Sequence, residues 1–153
     1  MLVKTRYFGE VELDDNKILT FDRGLIGFEN LHRFTLIYNN ENGKDTAIEW
    51  LQSVEDPAMA LPVIMPSSVI TDYNPEVEDE LLAPLGELGP DTVCVFVTLT
   101  VPSDITKMSI NLKAPIIINS ETRKGCQVIA ESDHPVKFNI YDVIQKKKEE
   151  KGE

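Results

Sequence analysis

The chain is predicted to be all-β: a small antiparallel β-barrel or a barrel-like sandwich carrying one or two short helices. Three observations predict it. Apolar residues recur with a period of two over most of the chain, the signature of strands with one buried face. Turn clusters rich in Asn, Asp, Gly and Pro separate short apolar runs. Helical signal is confined to short stretches, chiefly one near Asp79 that Pro84 keeps short. A chain of 153 residues is one domain by length. It can bury roughly two thirds of its unfolded surface, enough for a core without staples. The reading places a single barrel-like domain over residues 1–145 and a charged, flexible tail over 146–153 (K-K-K-E-E-K-G-E).

The elements follow in order. Residues 5–13 alternate, with Val11 and Leu13 on one face and Glu10 and Glu12 on the other, as a half-buried strand does. Asp14-Asp15-Asn16 is a turn, and residues 17–21 form the returning strand. Residues 33–38 (R-F-T-L-I-Y) are aromatic and β-branched, which suits a third strand. Asn42-Gly43, inside the 39–44 cluster, supplies the positive φ angles of a tight hairpin, and residues 47–52 pair back. The apolar run 59–65 lies between Pro57 and Pro66 and is a buried strand or an edge near a kink. From Asp72 to Glu80 the acids alternate as on an exposed strand face, and residues 78–85 make one or two helical turns with acids at their start. Residues 92–101 are apolar at nearly every position and form the central strand. Ser103 caps a single turn. Residues 109–112 and 116–119 are short strands broken by Ala114-Pro115. A turn at 122–125 leads into a strand over 126–130, and 141–144 is a last helical turn. The count is about eight strands.

Charge is distributed unevenly. Between Glu41 and Asp91 there are twelve acids against Lys44 alone, a local balance of -11, which equals the net charge of the whole chain. The flanking parts nearly cancel. Such a surface repels nucleic acid and anionic membrane and attracts basic partners. No apolar run approaches the roughly 20 residues of a membrane helix, and the first residues alternate, so no signal peptide is expected. Cys94 and Cys126 each lie in an apolar, strand-like run and are expected as buried free thiols of a reducing cytosol.

Catalytic patterns are missing. The two histidines, His32 and His134, stand at a strand start and in a turn and are expected on the surface. No His/Cys cluster has zinc spacing, and Gly24-Leu25-Ile26-Gly27 lacks the strand-to-helix setting of a dinucleotide loop. Counting from Asp72, the EF-hand glycine and glutamate positions hold Val77 and Ala83. Neither a cofactor nor a metal is expected, and the chain is read as a binding protein rather than an enzyme. The alternative is a ligand-binding barrel or an uncharacterised enzyme, marked by a buried polar cluster around Gln52, Asn111 and Asn119.

Three segments then stand out: Phe21-Asp22-Arg23-Gly24-Leu25-Ile26-Gly27-Phe28-Glu29; Leu51-Gln52-Ser53 followed by Asp56-Pro57; and Asn111-Leu112-Lys113-Ala114-Pro115-Ile116-Ile117-Ile118-Asn119, with Gln127-Val128 after a basic turn. In this order they resemble the flagellar assembly factor FliW family, over residues 7–129. Ile26 stands where that family usually has proline, and the stretch after Pro135 is longer than usual. On the residues themselves, Gly24 and Gly27 permit a turn between Phe21 and Phe28, both of whose rings can enter the core. Pro115 bends its strand, and Asn111 and Asn119 satisfy the leftover backbone groups. Lys113 is the preferred exposed contact; Gln52 and Ser53 serve either the turn or a partner.

The resemblance implies a cytoplasmic protein, monomeric when free, that binds flagellin and the RNA-binding translational regulator CsrA. It would antagonise that regulator and so control flagellin translation and flagellum assembly, with no direct contact to nucleic acid or membrane. The candidate partner-binding residues are Gln52, Ser53, Glu55, Asp56, Asp72, Glu76, Glu78, Glu80, Asn111, Lys113 and Asn119. Phe21, Gly24, Gly27, Phe28 and Pro115 are the structural motif.

Overall fold

The structure, a computed structural model, describes residues 2–38, 48–70 and 72–143. The hairpin turn expected at 39–44 and the tail from Lys146 lie outside those residues. The described residues form the strands β1 (Leu2–Lys4), β2 (Glu10–Glu12), β3 (Leu19–Thr20), β4 (Arg33–Tyr38), β5 (Ile48–Ser53), β6 (Ala60–Ile64), β7 (Val93–Thr100), β8 (Ser109–Ile110), β9 (Ile116–Asn119), β10 (Lys124–Gln127) and β11 (Phe138–Asn139). One four-residue helix, α1 (Asp79–Leu82), runs into a 3-10 turn at Ala83–Leu85.

The main sheet curls into a ring. From β7 the pairing runs through β6, β5, β4, β3, β10 and β9, and β9 pairs again with β7. Every link is antiparallel except β3–β10, a single parallel residue pair between Thr20 and Lys124. β8 and β11 branch from the far end of β7, and β1–β2 is a separate hairpin.

Period two decides what faces inward. Leu36, Leu51 and Leu61 lie side by side across β4, β5 and β6, with Ile37, Trp50 and Pro62 as the next row. The first row joins an interior cluster of Phe21, Phe34, Val63, Phe96, Ile116 and Ile118, and the second faces out, where the Tyr7 ring lies tilted against Trp50. Ile116 and Ile118 enter the ring while Ile117 between them packs outside, on Leu85 and Val128 beneath α1. A third apolar layer covers the outside of β7 and β8 with Ile64, Val69, Val97, Leu99, Ile110, Leu112 and Ile140. Apolar side chains therefore fill the ring.

The all-β barrel-like expectation holds, and several local expectations change. Residues 5–13 are not one strand: Thr5 and Gly9 close a turn between β1 and β2, the Thr5 amide donating to the Gly9 carbonyl at 2.9 Å. The expected returning strand, β3, pairs with β4 and β10. Residues 72–78 make no strand. Their alternation comes from an extended segment laid over the barrel, with Tyr73 and Val77 packed inward and Asp72, Asn74, Glu76 and Glu78 outward. The cap of the turn at Ile105–Lys107 is Asp104, whose carboxylate accepts from the Thr106 amide; Ser103 does not serve. Phe28 does not enter the core: it is 41% exposed, and Leu25, at 1%, occupies the interior instead. Cys94 and Cys126 are free thiols but half-buried. Both histidines are half-buried as well: His32 Nδ1 lies 3.1 Å from the Phe21 carbonyl, and His134 meets Tyr73 edge-on at 5.0 Å.

Candidate partner-binding surface

Four candidates, Gln52, Ser53, Glu55 and Asp56, gather where β5 turns toward β6. Gln52 points out of the ring but is 1% exposed, because the β1–β2 hairpin covers it. Its amide nitrogen donates to the carbonyls of Ser53, Pro57 and Met59 at 3.0, 3.2 and 3.1 Å, and its oxygen accepts from the Arg6 amide at 2.9 Å. Ser53 is fully buried, and its hydroxyl accepts from the amides of Glu55 and Asp56. Asp56 accepts from the Ala58 amide. Glu55 accepts from the amides of His32 and Arg33 at 2.6 and 2.8 Å. Those two hydrogen bonds, aided by the nearby Arg33 charge, hold its carboxyl below the usual glutamate range. Gln52 and Ser53 thus brace the loop from within, while Glu55 and Asp56 stand on its surface.

The Asn111–Asn119 segment is braced in the same manner. The Asn111 side-chain Oδ1 accepts from the Lys113 and Ala114 amides at 3.0 and 3.2 Å, making the bend before buried Pro115. Asn119 is fully buried. Its amide donates to the carbonyls of Leu85 and Glu87, and its oxygen accepts from the Glu121 and Thr122 amides. One side chain therefore fixes both the end of the helical segment and the β9–β10 turn. Lys113 is not an exposed contact: half-buried, it donates its ammonium to the Ser132 carbonyl at 2.9 Å. Gln52, Asn111 and Asn119 form no common polar cluster. Each caps its own loop.

The remaining candidates, Asp72, Glu76, Glu78 and Glu80, are all exposed on one extended segment and the start of α1. Tyr73 and Ser132 pin that segment, and sequence reading singled out neither. The Tyr73 hydroxyl donates to the Leu112 carbonyl, and burial pushes its pKa up to about 12. The Glu76 amide donates to Ser132 Oγ, and the Glu131 amide to the Glu76 carbonyl. Glu131 is thereby held against the acids. The Glu131 carboxyl, when protonated, donates a hydrogen bond to Glu78, and that bond, with the charges of Glu78 and Glu76, holds it above the usual range. Of the described acids between Glu41 and Asp91, Glu49 is buried, and the others named here are displayed to solvent. The visible sequence signal for Tyr73 and Val77 was the apolar half of the alternation.

Among the described residues, no group of three His, Cys, Asp or Glu side chains is placed to hold a metal ion. No described helix is long and apolar enough to cross a membrane. The family model for the FliW protein matches residues 2–140. The match runs past Pro135, so the first residues of the stretch that looked longer than usual belong to the family fold. A flagellar assembly factor FliW of Lachnoclostridium phytofermentans is 50% identical over 155 residues, covering 100% of this chain and 99% of that one. One from Lachnospira eligens is 49% identical, covering 95% of this chain and 98% of its own. A crystal structure of the flagellar assembly factor FliW superposes with a TM-score of 0.83 at 31% identity, covering 92% of this chain and 97% of that one.

Proposed function

The chain belongs to the FliW family of flagellar assembly factors, and from that membership we propose that it is a non-enzymatic cytoplasmic protein that binds flagellin and a CsrA-type translational regulator. When flagellin is exported or held elsewhere, the freed protein docks on the regulator and flagellin translation rises. The observation that carries this reading is the displayed acidic segment: Asp72, Glu76, Glu78, Asp79 and Glu80 all face solvent. RNA-binding proteins carry basic faces because phosphate neutralisation supplies much of their affinity. An acidic protein docked on such a face repels RNA even from beside the RNA groove, and raises its own association rate. The filled apolar interior supports a protein-binding role over a ligand held in the barrel.

Reversing Asp72, Glu76, Glu78 and Glu80 to lysine tests the electrostatic part. All four are exposed, so the fold should survive. Affinity for the purified regulator is expected to fall about tenfold or more at low salt and to lose most of its salt dependence. An unchanged affinity and salt slope would remove this mechanism. A pull-down from lysate with and without RNase tests the partners: flagellin or a small basic dimer should be recovered under both conditions.

A further inference from the structure

The turn between Gly24 and Phe28 holds large apolar side chains in water. Leu25 and Phe28 form an isolated bridge, the Phe28 amide donating to the Leu25 carbonyl at 2.8 Å and the Gly24 amide to the Phe21 carbonyl at 2.9 Å. Gly24 has φ of 65°, and a Cβ there would lie 2.6 Å from the Phe28 carbonyl oxygen, so only glycine closes this loop. Gly27, with φ of 89°, turns the chain at the tip. The tip is tied to the barrel wall, because the Ile26 amide donates to the Gln127 side chain at 3.0 Å and Gln127 donates to the Ala114 carbonyl. On this fixed frame Ile26 is 50% and Phe28 41% exposed. Beside them opens a depression of about 490 Å³ lined by Gly27, Phe28, Glu29, Asn30, Leu31 and Asp56.

A rigid turn that keeps two such side chains in water has already met the ordering cost that docking imposes. The charge of the depression selects the occupant. Glu29 and Asp56 line it and no base does; Arg33 sits by Glu55 and Arg23 by Cys126. A second copy of this chain, with net charge -11, is repelled, and so is an anionic membrane. We propose that the Ile26–Phe28 turn and the adjoining depression are a docking site for a partner polypeptide segment in which an apolar side chain is flanked by lysine or arginine. The apolar residue packs on Phe28 and Leu31, and its basic neighbours face Glu29 and Asp56. This rests on the reading of the chain as a protein-binding factor, and it assigns that role to residues other than the Asp72–Glu80 acids.

The test uses two synthetic peptides of equal length, each with a central Leu-Phe pair, one flanked by lysines and the other by glutamates. Each is titrated into the isotopically labelled protein while backbone amide shifts are followed. The lysine-flanked peptide should give saturable shifts centred on residues 26–31, and the glutamate-flanked one should not. Ile26→Ser with Phe28→Ser should weaken the first peptide roughly tenfold, with amide shifts outside the loop confirming an intact fold. Shifts centred elsewhere, equal response to both peptides, no response, or an unaffected double variant would each overturn the proposal. Flagellin and the regulator take no part in this experiment. Failure of the wild-type protein to bind either of those sinks the parent reading separately.

Discussion

Glu55 shows how one exposed carboxylate can serve the fold. It spans two chain segments by accepting from two consecutive amides, His32 and Arg33, at the mouth of β4. Its carboxyl is held below the usual range by those bonds, so the folded state binds that proton less readily than the unfolded chain. The stability it contributes is complete above the unfolded pKa of about 4.3 and fades as pH falls through the lower folded value. Glu55→Gln is expected to lose about 1 kcal/mol at pH 7, solvent screening keeping the figure small. The difference from wild type should shrink below about pH 4. Urea midpoints across that range read both effects, and a gap that widens on acidification would refute the assignment.

Among the elements, the meeting of β10 with the Phe21 segment is the tightest. A Cβ on Gly125 would lie 2.7 Å from Phe21 Cζ and 3.2 Å from Ile118, and Phe21 is fully buried against Phe34 at 5.4 Å, edge to face. Gly125→Ala is expected to cost roughly 1–3 kcal/mol through overpacking, seen as a lowered thermal midpoint. An unchanged midpoint would mean that Phe21 has room to shift. This contact also marks the limit of what a sequence shows. The long strands were legible, since β4, β5 and β7 carry β-branched and aromatic residues over six to eight positions. β11 was not, because Phe138 and Asn139 pair with only two residues of β8. The extended 72–78 segment was misread as a strand because alternation reports two faces, one wet and one dry, and not the ladder that makes a strand. Asn119 and Gln52 were legible as turn residues, but their burial depends on segments far away in sequence, such as Arg6 for Gln52 and Leu85 for Asn119.

For the molecule as a whole, β7 is the hub. It pairs with β6, β8 and β9 and contributes to all three apolar layers through Phe96, Val97, Leu99 and Val95. The ring is joined most thinly at β3–β10, and β1–β2 stands outside it. Opening free energies follow the number of partners that must part. Hydrogen exchange is therefore expected to be slowest at the Phe96, Val97 and Ile118 amides and fastest in β1–β2. Uniform protection across both regions would show that the hairpin and barrel open only together.

Trp50 is the one tryptophan of the chain, and its outer face is covered by Tyr7, with ring centroids 4.6 Å apart. Tyr7 belongs to the turn that also carries Arg6, whose amide seals Gln52. Lifting that turn wets the indole while the ring interior stays dry, so intrinsic fluorescence registers detachment of the amino-terminal cover before it registers melting of the barrel.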